Sequence, residues 1–273
     1  RLQTDVNWDG TSQSQLILPE LNFSADKVQL QLQGLLFTVA LDGQLSSGQM
    51  NFQLDSLNIS EPGETDVTVA DVAINSQFSD LQGIPLGNGE VQFGRITLQQ
   101  EQGPGFELNN LHYAVASALN ENRLTSNLDL QLEALRVGGE VFTDGQVQLQ
   151  VSGIDIATVR ELQNNARQLQ VELRGQQVDP VILQLQMLEL YSHLFQTGLE
   201  IALQKLSLQA DDGALHGQGL VNLQGFNLAG GSPLAFDKVT GQFQINIDQA
   251  LFNAGFRSID NLQRPRLTNN SAV

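Results

Sequence analysis

The chain has no cysteine, only three lysines, and few charges of either sign: 16% of its 273 residues are Asp, Glu, Lys or Arg. The missing cysteine removes disulfides, thiolate metal sites and cysteine nucleophiles together. That usage suits a protein of the cell envelope. Cations are scarcer than anions, 13 against 30, so the formal charge is −17. A nucleic-acid binder needs clustered Lys and Arg for phosphate contacts, and that class is excluded. The same balance argues against electrostatic docking on anionic lipid head groups. Trp8, Tyr113 and Tyr191 stand alone in the sequence, so no aromatic binding platform is encoded. The longest apolar run, Leu35 to Leu41, is interrupted by Thr38 and falls far short of the roughly 20 residues of a membrane span. Arg1-Leu2-Gln3-Thr4-Asp5-Val6 is strand-like and has no signal-peptide pattern, so we expect any membrane anchor upstream of residue 1.

Glutamine takes the place of charge, with 35 residues. Apolar and polar residues alternate over long stretches, the pattern of strands with one buried face. Asp9-Gly10, Asp42-Gly43, Asn88-Gly89, Asp144-Gly145 and Asp212-Gly213 punctuate them. Such pairs suit tight hairpin turns, because glycine and Asn or Asp tolerate positive φ. The alternation then slips repeatedly by one residue. Leu16 and Leu18 give way to Leu21 and Phe23, Leu30 and Leu32 to Leu35 and Phe37, and Phe52 and Leu54 to Leu57 and Ile59. Nine such slips occur, the others centred on residues 70–71, 94–95, 133–134, 152–153, 204–205 and 224–225. With a period of two, each slip would turn the second half of the strand to the opposite face. A β-bulge absorbs the extra residue and bends the strand. The alternative is a loop between two short strands. ALDGQLSSGQMNFQLDSLNI (40–59) and ALNENRLTSNLDLQLEALRV (118–137) look like copies, offset by 78 residues.

The expected fold is therefore mainly β: long, bent antiparallel meander sheets, with two or three helices in the C-terminal half. An elongated β domain is expected over 1–228, and a strand or helix segment with a frayed tail over 229–273. Asp155 can cap a helix over Ala157–Leu169. Asp179-Pro180 can start a second over Val181–Gln196, giving helices near 155–169 and 180–197. Asp248–Leu262 is a weaker third.

Chemistry is sparsely signalled. His112, His193 and His216 form no spaced ligand pair, and no nucleophile elbow, phosphate loop or zinc-protease motif occurs. Gly83–Gly89 is glycine-rich but precedes a strand, so a turn is expected there. Asp211-Asp212-Gly213 lacks the later ligands of a calcium loop and reads as a hairpin turn. Asn22-Phe23-Ser24 and Asn58-Ile59-Ser60 fit the glycosylation sequon, which chance alone supplies often. A hydrolytic or glycan-active enzyme would need paired carboxylates at a cleft, and the sequence pairs none. No catalytic residue, metal or cofactor is expected.

LHYAVASALNENRLTSNLDLQLEALRVGGEVFTDGQVQLQVSGID (111–155) resembles the YdgA-like proteins of proteobacteria, a family described mainly as of unknown function. The shared order is a long strand pair, Gly-Gly, a strand ending in Gly-Ile-Asp, and a short helix. The resemblance covers 111–228 and, more loosely, the earlier strands. It implies an inner-membrane anchor upstream and a periplasmic body, and it transfers no catalytic residue. The leading expectation is a non-enzymatic periplasmic domain that binds an envelope protein or its own copy through exposed sheet edges. The alternative is lipid carriage, because a bent sheet with one apolar face makes a trough, as in the AsmA-like envelope proteins that this architecture resembles. Met50, Phe52, Leu54, Leu128, Leu130, Leu132, Val147, Leu149 and Val151 would line its floor and touch acyl chains.

Overall fold

The computed structural model describes residues 1–81, 83–101, 103, 105–172, 198–223 and 239–252. These form one antiparallel meander in which every strand pairs with its sequence neighbours. The strands are β1 (Leu2–Val6), β2 (Ser12–Ala25), β3 (Val28–Leu41), β4 (Ser47–Glu61), β5 (Thr65–Leu81) and β6 (Ile84–Gln100). They continue as β7 (Phe106–Asn120), β8 (Arg123–Val137), β9 (Glu140–Asp155), β10 (Leu199–Ala210), β11 (Gly213–Leu223) and β12 (Val239–Ile247). Strands β4 to β9 run 15 to 17 residues, far beyond the usual 5–6 or so.

The slips lie inside these strands. Eight of the nine fall within β2–β6 and β8–β10, so the reading of two short strands joined by a loop does not hold for them. The ninth, at 224–225, is outside the described residues. Six share one line. Pro19, Gly34, Asp55, Asp71, Gly94 and Glu133, joined by Asn110 on β7 and Asp144 on β9, occupy successive positions from β2 to β9. The ladders skip all of them. From β2 to β8 the pairing keeps the same register on both sides, because each strand of a pair carries its extra residue at the same height. Gly34, Asp71, Asn110 and Asp144 take left-handed φ of +68°, +53°, +48° and +51°. The left-handed residue therefore falls on every second strand of a crease that crosses eight strands.

Both sides of the crease bury the same face. On β10 the chain passes this level with no extra residue, so Leu208 and Ala210, two apart, share a face. Leu208 reaches the site of Gly145, at the first level on one side of the crease. Ala210 pairs with Phe142, at the second level on the other. The extra residue of β10 sits lower, where Leu203 and Leu206 pair with Gly219 and Gly217 of β11. The slip at Ser152-Gly153 is a one-residue bulge against β8, between Leu124 and Ser126, with Gly153 at φ +86°.

Asp9-Gly10, Asp42-Gly43 and Asp212-Gly213 lie at turns, but Asn88-Gly89 and Asp144-Gly145 lie inside β6 and β9. Apart from Gly83, which stands in the β5–β6 turn, the glycine-rich stretch up to Gly89 is also strand, and its Ile84 and Leu86 are buried. Among the described residues, the turn with both central residues left-handed is Gly138-Gly139, φ +61° and +92°. Helix α1 (Ile156–Glu172) begins where expected, with Asp155 Oδ1 accepting from Ala157 N at 3.1 Å. Ile156 packs with Ile84, Leu86, Leu119, Leu124 and Val159 at the end of the sheet where β7 turns into β8. The expected helix near 180–197 lies outside the described residues. Of the Asp248–Leu262 candidate, Asp248 precedes the helical residues 249–252, and 253–262 lie outside the described residues.

Candidate functional site

The register draws the apolar residues into rungs that cross the sheet. One rung spans all twelve strands: Leu2, Leu16, Phe37, Phe52, Ile74, Val91, Tyr113, Leu130, Val147, Leu206, Gly217 and Ile245. Only Gly217 lacks a large side chain. At about 4.8 Å per strand the rung is about 50 Å long. Beyond the crease, Leu21, Leu32, Leu57, Val69, Ile96, Leu108, Leu135, Phe142 and Ala210 form a parallel rung.

All nine predicted floor residues stand on this face. Met50, Phe52 and Leu54 follow one another on β4, and Leu128, Leu130 and Leu132 do so on β8. Leu149 pairs with Leu128, Val147 with Leu130, and Val151 with Ser126. The prediction missed the residues between them, Val72 and Ile74 on β5, Val91 and Phe93 on β6, and Leu111 and Tyr113 on β7. The signal for β7 was in the sequence: Phe106-Glu107-Leu108-Asn109-Asn110-Leu111-His112-Tyr113 carries the same slip.

This face is only partly covered. Buried apolar residues among those described are Leu54, Val72, Ile84, Leu86, Ile156, Leu199 and Leu251. Most other rung residues are half-buried. Leu21, Phe23, Phe243 and Ile245 are 45%, 59%, 62% and 57% exposed. Among the described residues, each strand packs on its ladder neighbours, and α1 meets the sheet beside β9 and through Ile156 on Ile84 and Leu86 of β6. Among the described residues no second sheet backs the rungs.

The opposite face is amide-rich and carries the crease side chains. A hollow of about 690 Å³ is lined there by Gln92, Asn110, His112, Gln131, Glu133, Asp144, Gln146 and Lys205, among others. Asn110 Nδ2 donates to Glu133, and Gln148 Nε2 donates to Asp129 at 2.8 Å. His112 Nε2 lies 2.7 Å from Glu90 Oε1. The crease brings Asp55 beside Asp71 and Glu133 beside Asp144, carboxylate neighbours that the sequence could not pair; all four residues are exposed. Past the crease, Glu107 accepts from Arg95 Nη2 at 2.9 Å, from Asn109 Nδ2 at 3.1 Å and from Arg136 Nη1 at 3.1 Å. The bond from Arg95 leads these in holding the Glu107 carboxyl at about 2, well under its ordinary 4.5. His216 is exposed on β11, and His193 lies outside the described residues. No group of three or more metal-ligating side chains occurs among the described residues.

The two faces define a class: an open, creased antiparallel meander, amide-rich on one side and apolar on the other. The family model "Bacterial protein of unknown function (DUF945)" matches residues 1–266, and the chain belongs to that family. Neither the curated proteins nor the solved structures gave a match. No helix among the described residues is long and apolar enough to cross a membrane.

Proposed function

We propose that this protein is a non-enzymatic envelope domain that holds lipid acyl chains along its apolar face. The observation that carries this reading is the rung through Phe52, Tyr113 and Leu130, which runs unbroken by polar side chains from β1 to β11. Each methylene laid on such a surface and withdrawn from water is worth about 0.8 kcal/mol. A protein partner, the first expectation from the sequence, needs about one hydrogen bond per 100–200 Å². The rungs offer almost no polar partner, which favours a chain of methylenes. The acidic balance fits too: recognition of this kind rests on the tails of a lipid and needs no cationic seat for its head group. The sequence likeness to YdgA-like proteins supports a periplasmic body tethered by an inner-membrane anchor upstream. Native mass spectrometry of gently purified protein tests the reading. Copurifying acyl chains, and uptake of a fluorescent fatty acid after delipidation, are expected. Failure of both removes it.

A further inference from the structure

The two edges of the sheet are unlike. Strand β1 is five residues long and contains Asp5. Natural edges are blunted in this way, by shortness and charge. Strand β12 is nine residues long, VTGQFQINI, with no charge and no proline. It pairs with β11 on one side, and among the described residues no strand pairs with its other edge. Phe243, Ile245 and Ile247 are 62%, 57% and 43% exposed. The Phe243 side chain reaches over Gly219 of β11. An uncharged, β-prone edge without proline templates another strand.

We infer that β12 is a homodimer edge: it pairs antiparallel with β12 of a second copy, about a two-fold axis at Phe243. Three features select this occupant. First, Phe243 is the middle residue of β12, so a two-fold there pairs all nine residues. Gln242 then meets Gln244 of the second copy, Gly241 meets Ile245, and Val239 meets Ile247. Gln242 and Thr240 thus face polar partners, Gln244 and Asn246, and Val239 and Gly241 face Ile247 and Ile245. Second, β12 carries no charge that the two-fold would set against its like. Third, the pairing closes on itself, whereas β12 on β1 of the next copy would propagate without end. A two-fold normal to the sheet keeps both apolar faces on one side, so the apolar face continues from one copy into the other, with Ile245 at the end of the long rung meeting the Gly241–Val221–Ile201 row of the second copy. The pairing does not depend on what that face binds.

These 273 residues include no cysteine, so single-cysteine variants report the register without background. In an antiparallel pair, opposed Cα atoms lie about 4.5–5.5 Å apart, within the reach of a disulfide. Oxidised Phe243→Cys is expected to run as a covalent dimer. Ile247→Cys sets its two sulfurs about 26 Å apart, at roughly 3.3 Å per residue, and is expected to stay uncrosslinked. Light scattering across a dilution series is expected to give twice the 29.8 kDa of one chain. Phe243→Lys should give a single chain's mass with an unchanged circular dichroism spectrum, and mixing it with Phe243→Glu should restore the dimer. A monomer at every concentration overturns the inference. So does a Phe243→Lys variant that remains dimeric, or Ile247→Cys crosslinking as readily as Phe243→Cys. An unaltered chain that is monomeric at every dilution yet still takes up acyl chains would remove this inference and leave the proposed function standing.

Discussion

The carboxylate of Asp55 on β4 occupies the space where a side chain on Gly34 of β3 would begin. Gly34 also takes φ +68°. Both facts forbid a Cβ at this point of the crease. Gly34→Ala is expected to cost about 1–3 kcal/mol, from the left-handed backbone and the displaced carboxylate. Gly89→Ala is the matched control: it sits inside β6 with open space around it and no positive φ. It should change stability by less than about 0.5 kcal/mol. Urea melts of the two variants check the contrast.

Asp71 takes φ +53° on β5, and its Cβ would stand 2.6 Å from a methyl built on Gly94. A β-branched residue at positive φ is strongly disfavoured. Asp71→Val is therefore expected to be about 1–2 kcal/mol less stable than Asp71→Gly, although valine is the better strand former. Equal stabilities would mean that the crease does not need its left-handed residue.

The crease shows what the sequence could and could not reveal. Its period slips were legible because Leu54-Asp55-Ser56-Leu57 and Leu132-Glu133-Ala134-Leu135 cannot keep both leucines inside without an extra residue. The copies at 40–59 and 118–137 are explained the same way. Leu54 and Leu132 stand on one rung level and Leu57 and Leu135 on another, so one packing rule wrote both. Asp144-Gly145 misled because the same pair serves a hairpin turn or a bulge, and only the partner strand decides which. Alignment of the slips into one line was beyond reach, since register between strands is a tertiary property. So was the placing of Asp55 beside Asp71.

Helix α1 should depend on few contacts. Ile156 is 6% exposed and packs on Ile84 and Leu86. Ile156→Ala is expected to cost about 2–4 kcal/mol. Asp155→Ala, which removes the cap on Ala157, should cost about 1 kcal/mol. Hydrogen exchange should show both losses concentrated in α1 and the adjoining ends of β6 to β8. A loss spread evenly over the sheet would contradict this packing.

Acid should weaken the fold in a defined window. Glu107 titrates at about 2 when folded and near its ordinary 4.5 when unfolded. The folded state thus favours its charged form, and the stabilisation is complete above 4.5 and lost as pH falls toward 2. Asp42, held at about 2 by its bonds from Ser46 and Ser47, adds to the same slope. Arg95 and Arg136 are more than half exposed, so the share from Glu107 is modest and shrinks in salt. The melting temperature should fall between pH 4.5 and 2. Glu107→Gln should make that fall shallower; an identical slope would mean the Arg95–Glu107–Arg136 contacts carry no linkage.

A photoreactive fatty acid, crosslinked to the delipidated protein and mapped by peptide mass spectrometry, tests the central claim most directly. Adducts are predicted on the apolar rungs, at Phe52, Tyr113, Leu130 and Leu149, and competed away by unlabelled fatty acid. Adducts gathered instead on the amide face, at Gln92, His112 and Gln131, or none above the uncompeted background, would contradict it.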